Sequence, residues 1–454
     1  MKLERLALIA ILIIGSFYLF IFPPNSTPDE SVHFRAAYQN VSAVLGQTSS
    51  DVNSVAMRAA DAKMITEYSN HPDKYTYSFF RVELFKPLPP GGAEIIDVVR
   101  ESGVPHPYIY FPQTLGMLLG RALMVNPEWL YLLGRIFNLI FFAVCVWLSI
   151  RIAPIGKGVF ALVALYPMAM QLGASLNSDV YSIALALLAL AQYLRIAYSE
   201  NPARMRDLLI LLLTMALLGP PKVVFIPLMM LAFFLPDRCF SARNIAVFFR
   251  ILVAAVCVIT TFIAIYVYLH RGDGGVPIVT YLGQETFTFE MLLADPVLFA
   301  KMCYRTIIMY FEYYLTSMIG AELGWIDISI NKGVIAVFLA LSAVGAFKMA
   351  DTDKGLLLRD RILFPAIFLI AAFGTAVVMF VSWTPLGSWN IMGLQGRYFL
   401  PVWPLFLFFA ARWPKPVRPK WLNNKTLLFI ACVLQVFVLI SAYLAISGRE
   451  TLVL

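Results

Sequence analysis

Residues 23–38 read PPNSTPDESVHFRAAY and set two adjacent carboxylates, Asp29 and Glu30, just ahead of His33 and Arg35 and directly after a long apolar run. In a helix Glu30 and His33 stand at i, i+3, and Asp29 and His33 at i, i+4, so acids and imidazole share one face. A carboxylate held beside a histidine can act as a positioned general base. The plainer alternative is that Asp29 and Glu30, following Pro28, are first-turn acids that complement the dipole of the helix they open.

Other polar groups recur at helix boundaries. His106 and Tyr108 lie in HPYIY, ahead of another apolar stretch. SLNSDVYS (175–182) opens a helix, with Asn177 or Ser178 competent to cap it and Asp179 in its first turn. GPPK (219–222) separates two short apolar segments, and its Lys222 either snorkels to the membrane surface or holds a phosphate. In GRYFLP (396–401) Arg397 heads a helix, where a guanidinium can grip phosphate oxygens in pairs or, with Tyr398, anchor the interface. His71 and His270 fall in loops and take no role. With four histidines and neither H-x-x-x-H nor H-E-x-x-H, no zinc site is expected.

The elements that must position these residues are membrane helices. The chain of 454 residues has a mean hydropathy of +0.77 and only 14% charged residues, against about 25% in soluble globular proteins. Soluble classes are excluded, and the net charge of +8 bears on topology before nucleic acid. Five scattered cysteines without a C-x-x-C pair give neither a disulfide framework nor a metal site. The first apolar run lacks a small-x-small cleavage site and is expected to be a retained helix.

Candidate spans lie near 6–22, 129–150, 157–174, 179–197, 206–219, 222–236, 245–269, 333–350, 361–382, 398–412 and 426–446. Two broken apolar stretches, 108–125 and 299–320, either span or lie at the interface, giving about 11–13 transmembrane helices. With both kept on the outer side and the N-terminus inside, eighteen Lys and Arg fall in inner loops. Only Lys222, Arg397 and Arg449 then fall in the short outer loops and the C-terminal tail. Eleven spans follow, within one integral-membrane domain over 1–454. Large extracytoplasmic segments cover 23–128 and 270–332, the first expected to carry amphipathic helices on the membrane over 30–65 and a structured Pro- and Tyr-rich loop after them. On this topology all the polar groups named above gather at the outer surface, where charge beside hydrocarbon argues for a site.

The ordered set Pro-Asp-Glu-x-x-His-Phe, His-Pro-Tyr-x-Tyr, Asn-Ser-Asp, an outer-face Lys and Gly-Arg-Tyr-Phe-x-Pro resembles a group of uncharacterised bacterial multi-pass membrane proteins. Their layout is similar to that of the GT-C glycosyltransferases, which use polyprenyl-phosphate sugars. The likeness runs from residue 1 to about 412. It implies an all-α polytopic bundle in the bacterial inner membrane with its active site facing the periplasm. Asp29 or Glu30 would be the base that deprotonates the acceptor, with His33 beside it. Lys222 and Arg397, with Arg35 as a third candidate, would hold the lipid phosphate. His106, Tyr108, Asn177, Asp179 and Tyr398 complete the expected substrate site. The resemblance requires no cofactor, although Asp29, Glu30 and Asp179 are compatible with a divalent cation. The expected function is transfer of a sugar from a polyprenyl-phosphate donor to an envelope glycan such as O-antigen, the alternative being a transporter or flippase. The expected partners are the donor, a glycan or lipid-linked acceptor and membrane lipids, with no nucleic acid.

Overall fold

A computed structural model describes residues 1–51, 53–70, 84–99, 106–269, 284–347, 356–410 and 421–450. His71 and His270, residues 71–83 and 100–105 of the Pro- and Tyr-rich loop, and the inner-loop cations Lys348, Lys354, Arg412, Lys415, Arg418 and Lys420 lie outside the described residues. The described chain is mostly helical, with a little antiparallel sheet.

Among the described residues six helices are long and apolar enough to cross a membrane: α1 (Leu3–Ile21), α5 (Pro127–Ile152), α8 (Asp179–Ala197), α11 (Arg243–Leu269, apolar to Val267), α15 (Asp360–Trp383) and α17 (Asn424–Glu450, apolar to Gly448). The protein is therefore a multi-pass membrane protein. α1 buries Leu3, Ala7, Ile11, Ile14 and Tyr18, a helical stripe against α5 and α17. A polar bond inside this apolar packing fixes the register, since Tyr18 Oη donates to Gln435 Oε1 at 2.9 Å and Gln435 Nε2 donates to Leu165 O at 2.5 Å.

The other five expected spans are present as shorter or broken helices, and proline explains three of them. Residues 157–174 divide into α6 (Lys157–Ala164) and α7 (Pro167–Gly173), because Tyr166 before Pro167 is extended. Apart from Lys157 at the start of α6, every residue of both pieces is buried. Residues 222–236 form a 3₁₀ segment, Val223–Leu228, that contains Pro227 and leads into α10 (Met229–Phe233). The expected span 398–412, described as far as Ala410, is a second 3₁₀ turn, Gly396–Phe399, and then α16 (Trp403–Ala410) after Pro401. The remaining two are α9 (Met205–Leu218) and α14 (Lys332–Phe347).

Of the two broken apolar stretches, one is a 3₁₀ turn at Pro107–Tyr110 followed by α4 (Phe111–Ala122). Twelve helical residues rise about 18 Å, too little to cross a bilayer. α4 packs antiparallel on the first turns of α5. The other stretch is α13 (Pro296–Ile319), preceded by the short α12 (Phe289–Ala294) and followed by a hairpin of β3 (Glu322–Leu323) and β4 (Ile328–Ser329).

The segment 30–65 departs from the expected surface helices. It contains α2 (Glu30–Val44), strand β1 (Ser54–Arg58) and the start of α3 (Ala59–Asn70). β1 pairs antiparallel with β2 (Ile95–Val99), Ser54 opposite Val99 and Arg58 opposite Ile95. α2 is packed inside the protein, where Phe34, Tyr38 and Val41 meet Val55, Met57, Met117 and Tyr131. A buried polar network locks this layer. Arg58 grips both oxygens of Asp61 at 2.7 and 2.8 Å, Tyr38 Oη donates to Asp61 at 2.7 Å, and Arg121 donates to Tyr38 Oη at 2.7 Å.

Close approach of α4 to α5 depends on Gly116, where an added Cβ would lie 2.2 Å from the Leu133 carbonyl oxygen. Backbone cannot yield as a side chain can. Gly116→Ala is expected to destabilise the protein by about 1–3 kcal/mol through overpacking, seen as a lower thermal midpoint in detergent. An unchanged midpoint would refute the close helix contact.

Candidate functional site

The loop from α1 to α2 is built around one buried ion pair. Glu30 is fully buried; its Oε1 accepts from Arg135 Nε at 2.8 Å and from Leu176 N at 3.0 Å, and its Oε2 accepts from Arg135 Nη2 at 2.7 Å. Arg135 also donates to Phe22 O at 2.5 Å and Pro23 O at 2.9 Å and lies over the Tyr131 ring. Tyr131 Oη accepts from Asn25 N, Asn25 Oδ1 accepts from Ser31 N, and Trp325 Nε1 donates to Asn25 O. The loop is thereby bonded from all sides. Asn25 (φ 60°) and Asp29 (φ 62°) are held left-handed, a conformation that Asn and Asp tolerate better than most residues.

This geometry separates the two carboxylates. Glu30 is committed to Arg135 and the Leu176 amide, whereas the Asp29 side chain is 58% exposed and lines a cavity of about 430 Å³. Asp29, Asp179, Lys222 and Arg397 converge there from four separate segments. Asp179 is ion-paired with Lys222 Nζ, and its Oδ2 lies 3.3 Å from Arg397 Nε. Arg397 Nη2 lies 3.6 Å from Asp29 Oδ2. Arg397 is only 5% exposed, and among the described residues its Nε has no aligned hydrogen-bond partner. Both cations stand over the ring of Tyr398, at 5.4 and 5.5 Å.

Surrounding groups orient these charges. Asn177 Oδ1 accepts from Asp179 N at 2.7 Å, so Asn177 fixes the start of α8 while the Asp179 carboxylate is turned to the cations. His33 shares a 2.8 Å hydrogen bond with Tyr110 Oη through Nδ1. His106 is hydrogen-bonded to the Pro220 backbone and Tyr108 Oη donates to Leu217 O, so both brace the turn that carries Lys222. Of the residues singled out from sequence, Asp29, His33, His106, Asn177, Asp179, Lys222, Arg397 and Tyr398 line the cavity. Glu30, Arg35 and Tyr108 do not: Glu30 is in the ion pair, Arg35 is buried in α2, and Tyr108 supports the turn.

Apart from the hydroxyls of Ser178, Thr375 and Ser382, the rest of the cavity lining is apolar. Val223 and Val224 follow the lysine, Ala264 and Val267 come from α11, and Val378, Met379 and Val381 from α15. Nothing in the sequence marks these residues, because a cavity wall and a lipid-facing surface have the same composition. Among the described residues no group of three or more His, Cys, Asp or Glu could hold a metal ion. The site offers two cations, an exposed carboxylate and two imidazoles at the end of an apolar groove.

Burial holds His33 below its ordinary pKa of 6.5; Asp29 and Asp179 oppose the shift, and Arg397 and Lys222 add to it. Burial lowers His106 likewise. As pH falls below the ordinary value the unfolded chain takes up these protons first, so the stability is complete above it and is lost toward the folded values. Thermal midpoints are expected to drop between about pH 7.5 and about pH 5.5, and to drop less in His33→Gln. An identical pH dependence in the variant would refute a buried neutral imidazole. Glu30→Gln, which strands the Arg135 charge, is expected to cost about 3–5 kcal/mol, whereas Glu30→Met with Arg135→Met costs less than the single change. Equal losses would show that the charge is not the cause.

No curated protein and no solved structure matches the chain. A family model described as a predicted membrane protein (DUF2142) matches residues 12–406, most of the sequence. The chain therefore belongs to the DUF2142 family of predicted membrane proteins.

Proposed function

We propose that the protein is a membrane glycosyltransferase of GT-C type that moves a sugar from a polyprenyl-phosphate donor to an envelope glycan. O-antigen or a related surface polysaccharide would be the acceptor, at the periplasmic face of a bacterial inner membrane. The observation that carries this is the join of a buried cation, Arg397, and a half-buried one, Lys222, to an apolar groove between α11 and α15, with an exposed carboxylate alongside. A lipid phosphate combines those needs in one molecule: its anion suits Lys222 and Arg397, and its chain suits the valines, Ala264 and Met379.

In this reaction the acceptor hydroxyl oxygen attacks the anomeric carbon as the bond from that carbon to the phosphate oxygen breaks. The bonding pair leaves on the phosphate, and the hydroxyl proton passes to the Asp29 carboxylate. The negative charge lost at Asp29 reappears on the phosphate, beside Lys222 and Arg397. His33, tied to Tyr110, lies within this charge cluster as a neutral polar group. The step is a single inverting displacement and needs no metal or cofactor.

A lipid-linked glycan transporter is the second reading, favoured by the break in the membrane helices at Gly219–Lys222. It shares the cavity but breaks no bond.

Proteoliposomes containing the full-length protein, labelled polyprenyl-phosphate hexose and an envelope glycan acceptor distinguish them. Label should enter the glycan, and Asp29→Asn should lower transfer by about 100-fold or more with the thermal midpoint retained. Lys222→Met should also lower transfer. No transfer across a panel of lipid-phosphate hexoses, or full activity in Asp29→Asn, would overturn the proposal, and lipid movement without transfer would favour the transporter.

A further inference from the structure

We propose that Asp179 is a specificity-determining residue that restricts the cavity to lipids carrying one phosphate, so that a phosphodiester-linked sugar is accepted and its diphosphate-linked counterpart is rejected. This rests on the lipid-phosphate reading above and adds to it a rule for the donor headgroup.

Among the described residues Lys222 and Arg397 are the only Lys or Arg that line the cavity, and Asp29 and Asp179 are its only carboxylates. The four formal charges cancel. The imidazoles of His33 and His106 add none at neutral pH, since burial favours their uncharged forms. Asp179 lies against both cations, ion-paired with Lys222 and 3.3 Å from Arg397 Nε. A phosphate that reaches those cations must therefore share them with a carboxylate already in place.

One diester phosphate leaves the occupied cavity with a single excess negative charge. That total is conserved during transfer, because the proton taken up by Asp29 offsets the charge appearing on the departing phosphate. A diphosphate diester brings a second negative charge that no other lining cation meets. In a pocket whose arginine is almost wholly buried, an uncompensated charge is poorly screened. Position supports the same conclusion: the bond to Lys222, the brace from His106 and the Asn177 bond to Asp179 N hold the carboxylate and cations together, so Asp179 is not free to swing away.

Binding of farnesyl phosphoglucose and farnesyl diphosphoglucose to the full-length protein in zwitterionic nanodiscs tests this directly. The wild type should bind the monophosphate probe about tenfold or more tightly than the diphosphate probe. Asp179→Asn should narrow that preference to about threefold or less by strengthening diphosphate binding, while Lys222→Met weakens both. Equal or tighter diphosphate binding by the wild type overturns the charge rule but leaves the lipid-phosphate reading standing, and it needs no variant to fold. A parallel loss of both probes in Asp179→Asn makes the residue a clamp only and overturns its assignment. If the folded wild type binds neither probe, the lipid-phosphate reading falls and this proposal falls with it.

Discussion

The buried pair of Glu30 and Arg135 is the constraint from which the site takes its shape. A charge withdrawn from water is costly unless its partner and the remaining hydrogen-bonding capacity are supplied together. Here they are: the carboxylate meets the guanidinium and the Leu176 amide, and the guanidinium meets the Phe22 and Pro23 carbonyls. Those bonds tie the end of α1, the first turns of α5 and the approach to α8. The next residue back, Asp29, is thereby delivered to the cavity, and Asp179 enters three residues after Leu176. Adjacent acids thus have different tasks, one holding the chain and one facing the space it encloses.

A second level of organisation comes from charge between segments far apart in sequence. Asp179, Lys222 and Arg397 come from the start of α8, the turn after α9 and the 3₁₀ turn before α16. Each is located by its own local chemistry. Asn177 sets Asp179, while His106 and Tyr108 set the Lys222 turn. At Gly396 an added Cβ would lie 2.3 Å from the Tyr314 carbonyl oxygen, so a bare backbone there lets the Arg397 turn sit against α13. The ion pairs then join pieces already placed, which is why they arrange a site more than they drive folding. The apolar packing of α5 to α8 carries that burden.

Much of this was legible in the residues. Hydropathy gives the long helices, and the charged and polar residues in and beside the segments that join the apolar runs point to eight of the cavity-lining positions. Three kinds of information were not. Prolines at 167, 227 and 401 break runs whose hydropathy is continuous, so a hydropathy window counts spans where the chain forms shorter pieces. β1 was invisible because SVAMR is a short segment beside helix-forming residues, and its partner β2 lies almost forty residues on. The sharpest omission concerns Glu30: local spacing relates it to His33, yet its partner is Arg135, 105 residues away. Periodicity reports neighbours along a helix and cannot report a contact made by the fold.

Two non-glycine residues in one short loop, Asn25 and Asp29, adopt left-handed backbone, a conformation that persists only where the surroundings overdetermine it. At Asn25 the surroundings do so through Tyr131, Ser31 and Trp325. At Asp29 the hold is indirect, through Glu30 on one side and through Pro28, whose carbonyl accepts from Asn177 Nδ2 at 3.5 Å, on the other. Neither hold uses the Asp29 carboxylate. Its side chain is therefore positioned without being consumed, and it lies 3.6 Å from Arg397, a separation that a ligand anion can reopen more readily than the closed bonds of Glu30. The loop spends its hydrogen bonds on backbone and on a neighbouring acid, and the group left to meet a ligand is the one whose place they fix.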